Sequence, residues 1–141
     1  MFERYTETAR QTIVRAKHEA DRFGSREVGV GHILLALLND AALIRDTLEG
    51  VSEDELREAI GARLPRGETI PLPHDLPLSS ESRQALISAA EEAEELGHRH
   101  VGNAHLLLGL MGCENSHAAE LLRQKGLSAD KLRTQIAEPK S

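Results

Sequence analysis

An eight-residue pattern occurs twice in this chain. Val28-Gly29-Val30-Gly31-His32-Ile33-Leu34-Leu35 returns as Val101-Gly102-Asn103-Ala104-His105-Leu106-Leu107-Leu108, 73 residues later. The same offset carries Arg10-Gln11 onto Arg83-Gln84, Glu19-Ala20 onto Glu92-Ala93 and Gly24 onto Gly97. Roughly half of the positions from Arg10 to Leu37 are identical in the second copy. A fixed internal period sets the architecture before any single residue does. Whatever unit the first copy forms, the second must form again.

That unit is helical. Ala9, Ile13, Ala16, Ala20 and Phe23 recur at steps of four and three, which places them on one helix face. Arg10, Lys17 and Asp21 fall on other faces. Thr6 can cap the start, and Gly24 can take the left-handed conformation that ends a helix. A second helix starts near Gly31, and its run Ile33 to Leu38 is apolar on all sides, the mark of a buried helix. A third short helix is expected across Leu43 to Leu48. Ser52 and Glu55 have capping-box spacing at the entry to a fourth, with Val51 able to staple onto Leu56.

Four of the five prolines lie between Pro65 and Pro77, so that stretch reads as a linker. The second copy begins at Ser79 or Ser80. Its stripe is Ser82, Leu86, Ala89, Ala93 and Leu96, closed by Gly97. A buried helix is expected from Asn103 to Met111 and another from His117 to Lys125. Gly126-Leu127-Ser128 repeats Gly50-Val51-Ser52 at an offset of 76, so about three residues entered near Gly112 to Ser116. The expected organisation is one all-α, eight-helix domain with pseudo-two-fold symmetry. Repeat one spans 1–64, the linker 65–78 and repeat two 79–137. A half of about 60 residues is marginal alone, and two halves packed together supply a core.

Composition narrows the functional classes. A net charge of −6 works against nucleic-acid binding, which needs a basic face to displace counterions. No apolar run approaches the ~18 residues that would span a bilayer, and the N-terminus lacks the apolar core of a signal peptide. The single Cys113 allows no internal disulfide, which suits a reducing, cytoplasmic setting. Glu91, Glu92, Glu94 and Glu95 read as a solvated helix face.

The two boxes, with Leu96-Gly97-His98 before the second and Met1-Phe2-Glu3-Arg4-Tyr5-Thr6 at the start, resemble the double Clp repeat. This is the N-terminal domain of Clp-family, ClpC-type AAA+ protein unfoldases. The resemblance covers nearly the whole chain. It implies a non-catalytic module that receives adaptors and substrates for an ATPase ring. No Gly-x-x-x-x-Gly-Lys-Ser/Thr phosphate loop occurs here, so no nucleotide or other cofactor is expected.

The boxes also depart from the family pattern. Its Thr is Val30 in one copy and Asn103 in the other, and its Glu is Gly31 and Ala104. Asn103 remains a good N-cap residue, whereas Val30 has no side-chain oxygen. In ClpC-type members the two acids help hold the guanidinium of phosphoarginine. One such charge-assisted bond contributes roughly 1.5–3 kcal/mol, or about tenfold to a hundredfold in affinity. Phosphoarginine binding is therefore expected to be weak or absent. The family's other surface maps onto Phe2, Arg10, Ile13, Leu78 and Arg83, an apolar patch edged by arginines that could grip a peptide or a partner protein.

Other chemistry is thinly supported. Cys113 and His117 have i, i+4 spacing and His98, His100 and His105 are close in sequence, yet no CxxC pair accompanies them and no metal is expected. His32 and His105 recur as a pair, which fits a structural role at the start of the buried helix. No nucleophile-elbow spacing occurs, so no enzymatic activity is expected. The functional expectation is a protein- or peptide-binding module of the Clp proteolysis system. The alternatives are the N-terminal piece of a full ATPase unfoldase or a decoy for small cyclic peptides.

Overall fold

A computed structural model describes residues 3–67 and 76–137. Eight helices follow one another among the described residues: α1 (Glu7–Arg22), α2 (Val30–Leu37), α3 (Ala41–Thr47), α4 (Glu53–Arg63), α5 (Ser80–Glu95), α6 (Asn103–Met111), α7 (His117–Gln124) and α8 (Ala129–Ala137). The all-α fold and its two repeated units are as the sequence predicts.

Local chemistry sets the helix ends. Thr6 and Ser79, 73 residues apart, each cap a long helix by accepting an amide three residues on, from Ala9 and Ser82. Both long helices end on a left-handed glycine, Gly24 at φ 69° and Gly97 at φ 75°. Ser52 caps α4 through the Glu55 amide, and Asp40 and Ser116 cap α3 and α7.

The core is built from the two central helices. Every residue of α2 is buried, and in α6 all but Ala104 are. Each lies against the long helix of its own repeat, α2 on α1 and α6 on α5, and the two also touch each other. The α5–α6 contact is the tighter. A Cβ on Gly109 would overlap the Ala85 carbonyl oxygen and press on Ala89. The equivalent residue of α2 is Ala36, 1 % exposed. Burying aliphatic side chains at this density supplies the main driving force for folding.

The repeats are interlocked. Tyr5 pairs in a parallel bridge with Val101, and Leu78 pairs with Val28. The four backbone bonds correspond one to one. Thr6 N–H donates to Val101 O (3.0 Å) and Val101 N–H to Arg4 O (2.9 Å), while Ser79 N–H donates to Val28 O (3.0 Å) and Val28 N–H to Pro77 O (2.8 Å). Each repeat's lead-in segment therefore closes the box loop of the other.

Candidate docking site

Both boxes open with a glycine cap and a back-turned imidazole. Gly29 and Gly102 are the N-caps, and their amides donate to His32 Nδ1 and His105 Nδ1, each at 2.9 Å. A histidine at this place satisfies one amide that helix geometry leaves orphaned. Accepting at Nδ1 leaves the proton of the neutral ring on Nε2. Burial holds both imidazoles below their usual pKa. The neighbouring His98 adds to this for His105, while Glu92 and Glu19 oppose it for His105 and His32 respectively.

Asn103 is not the cap that its residue type suggests. As the first residue of α6 it turns inward, accepting from Thr12 Oγ1 (2.8 Å) and donating to Asp40 Oδ2 (2.9 Å). Asp40 Oδ1 meanwhile accepts the Leu43 amide. One buried amide thus ties α1, α3 and α6 together. Val30 stands in the corresponding place of α2 and is buried among apolar groups.

The two boxes have diverged beyond that. His105 Nε2 lies 2.8 Å from His98 Nδ1, and its fixed tautomer makes it the donor. In the first box His98 is matched by Ser25, and among the described residues His32 Nε2 has no hydrogen-bond partner. The His32 ring instead sits edge to face with Phe23, centroids 5.7 Å apart. Near the second box, Glu92 takes a two-pronged bond from Arg133 (2.8 and 2.9 Å), and Arg133 also reaches Asp130 (2.8 Å). That pairing holds the Glu92 carboxyl below the usual range. The first repeat carries the same three residue types at Glu19, Arg57 and Asp54, but Arg57 bonds Asn39 and Glu53 while Glu19 bonds Arg22.

The space in front of the boxes differs as well. Ala104 lines a cavity of about 620 Å³, which α8 floors with Leu132 and Ile136 and α3 edges with Asp40 and Asp46. Both repeats build this cavity. In front of Gly31 only about 260 Å³ remains, between α2, α4 and the start of α7.

The second predicted surface is more dispersed. Phe2 lies outside the described residues. Arg10 and Arg83 are exposed at matching places on α1 and α5, and Leu78 is half-buried in its bridge to Val28. Ile13 is 5 % exposed and belongs to the core, so the apolar side chains these helices offer to solvent are Val14 (51 %) and Ile87 (45 %). Among the described residues no three His, Cys, Asp or Glu side chains are grouped to hold a metal. The Cys113 sulfur faces the Glu81 and Gly109 carbonyls, and burial pushes its thiol pKa up. No helix among those residues is long and apolar enough to cross a membrane.

Comparison with known proteins agrees with the geometry. The Clp repeat (R) N-terminal domain model matches residues 4–125 and again 77–139. The ClpA homolog of Guillardia theta, an ATP-dependent Clp protease ATP-binding subunit, is 35 % identical over 140 residues, covering 96 % of this chain and 17 % of that protein. The chloroplastic chaperone protein ClpC1 of Oryza sativa subsp. japonica is 34 % identical, with 96 % and 15 % covered. The chain thus spans about a sixth of the length of these relatives. Among solved structures, the N-terminal domain of ClpD from Arabidopsis thaliana superimposes with TM-score 0.74 at 22 % identity, covering 96 % of this chain and 93 % of that one. The N-domain of ClpV from Vibrio cholerae gives 0.79 at 18 %, with 96 % and 84 % covered. The chain belongs to the Clp repeat (R) N-terminal domain family.

Proposed function

We propose that the chain is a non-catalytic recognition module of the Clp proteolysis system. It docks adaptor or substrate proteins, or competes for them with the N-domain of an unfoldase, in the reducing setting that its single free cysteine suits. The observation that carries this reading is the 620 Å³ cavity at the second box, which elements of both repeats line. Its floor is apolar and its rim carries carboxylates and imidazoles, the mixture that holds a peptide segment by burial and orients it by hydrogen bonds. Phosphoarginine is not the expected ligand, because neither Gly31 nor Ala104 places a carboxylate in its box.

Fluorescence-anisotropy titration with a labelled, permanently unfolded model protein tests this. Saturable binding that Ala104→Trp weakens at least about tenfold, a loss of ~1.4 kcal/mol, with the melting temperature unchanged supports the reading. Binding that ignores the substitution, or no binding, contradicts it. A second reading has its own support: because the curated relatives extend far beyond the matched region, the chain also fits the N-terminal part of a full ATPase unfoldase. The docking role is the same in both.

A further inference from the structure

We propose that Leu64 and the three residues after it plug the first box, so that of the two boxes only the second opens onto a receptive cavity. Each residue of Leu64-Pro65-Arg66-Gly67 has a separate geometric part in this. Pro65 restricts the residue before it to extended backbone, and Leu64 leaves α4 at φ −83°, ψ 133°. That turn sends its side chain over Gly31. A Cβ on Gly31 would stand 2.5 Å from Leu64 Cδ2, so any larger residue there would push the leucine methyl aside. The Arg66 guanidinium lies 4.4 Å above the centre of the Phe23 ring. Gly67 N–H donates to Phe23 O at 2.8 Å, and a Cβ there would come within 2.5 Å of Gly24 O.

A connecting segment needs only to span a gap. This one is fastened to the Phe23–Gly24 turn and to the box it covers, and it fills the direction in which a side chain at residue 31 would project. In the second box Ala104 keeps its Cβ and faces open space. The missing box acid at Gly31 and the leucine above it are thus two halves of one arrangement. The inference rests on the docking reading for its meaning, but its geometry is testable with no partner present.

The test is nuclear magnetic resonance on the intact chain with a neutral paramagnetic cosolute. Cross-relaxation between the Leu64 methyls and the Gly31 α protons is expected, together with several-fold weaker cosolute broadening at Gly31 and His32 than at Ala104 and His105. In a Leu64→Ala/Arg66→Ala variant the first box should broaden like the second. Equal broadening of the two boxes in the unaltered chain overturns the plug, and this arm needs no variant to fold. So does a folded double variant whose first box stays shielded. Failure here leaves the second cavity and its titration untouched, so the two readings fail separately.

Discussion

Tyr5 of the first repeat forms a parallel bridge with Val101 of the second, and the residues 73 positions away from each, Leu78 and Val28, form the same bridge in reverse. Tyr5 is 5 % exposed, and burial pushes its hydroxyl pKa up to about 12. Leu78 is only half-buried. Truncating a buried aromatic side chain costs about 3–5 kcal/mol, against about 2–5 for a buried leucine and less for one half-exposed. Tyr5→Ala should therefore lower the denaturation midpoint more than Leu78→Ala, although the two sit in equivalent bridges.

Gly109 sets a conflict between two principles. Alanine is favoured over glycine within a helix by about 1 kcal/mol, but overpacking a filled contact costs about 1–3. The Cβ would meet backbone atoms of Ala85 and Ala89, which cannot swing aside as a side-chain end can. Gly109→Ala should thus destabilise the protein, and calorimetry should show a melting temperature lower by a few degrees.

Asn103 is a buried amide that joins both repeats at the second box. Asn103→Val copies the residue of the first box and leaves Asp40 Oδ2 and the Thr12 hydroxyl without this partner. A loss of about 1–3 kcal/mol is expected. In a double-mutant cycle with Asp40→Ala, the coupling should be about 0.5 kcal/mol or more, since the two side chains touch. Additive losses would show that the bond contributes nothing.

Stability should fall on mild acidification. His32 and His105 are neutral in the fold, with pKa held below the usual value, whereas in the unfolded chain they take up protons below about pH 6.5. The unfolded state then binds more protons, so stability rises with pH across that window and drops as pH falls through it. Denaturation midpoints between pH 7.5 and 5 should decline, and His32→Gln/His105→Gln should flatten the decline.

The ion pairs of the two repeats should respond differently to substitution. Arg133 is 42 % exposed and Glu92 18 %, so even a two-pronged bond should contribute only about 1 kcal/mol or less. Glu92→Gln should lose most of that amount, and less at high salt. Glu19→Gln should lose little, because its partner Arg22 is exposed.

Much of the fold was legible because it is local. The alanine stripes, the terminating Gly24 and Gly97 and the extent of α6 follow from periodicity and backbone preference, all within a few residues. What escaped the sequence is the relation between distant residues. Nothing in the spacing tells Tyr5 to seek Val101 rather than Val28. Asn103 has the chemistry of a cap, and only the position of Thr12 and Asp40 turns it inward. Glu92 belongs to an acidic run that reads as solvated, until α8 brings Arg133 against it. Leu64 reads as the last residue of repeat one, and its contact with Gly31 depends on how α4 crosses α2. That neither Gly31 nor Ala104 carries a carboxylate was visible, but not that Leu64 lies against Gly31 while Ala104 lines the larger cavity.

The most direct test is to divide the chain in the linker and follow helicity. Fragments 1–67 and 76–141 should each show weak far-ultraviolet circular dichroism alone, because each lacks the lead-in segment that closes its box loop and buries too little surface. Mixed one to one, they should regain nearly the helicity of the intact chain and melt in one transition. Two fragments that fold independently, and gain nothing on mixing, would contradict the interlocked domain.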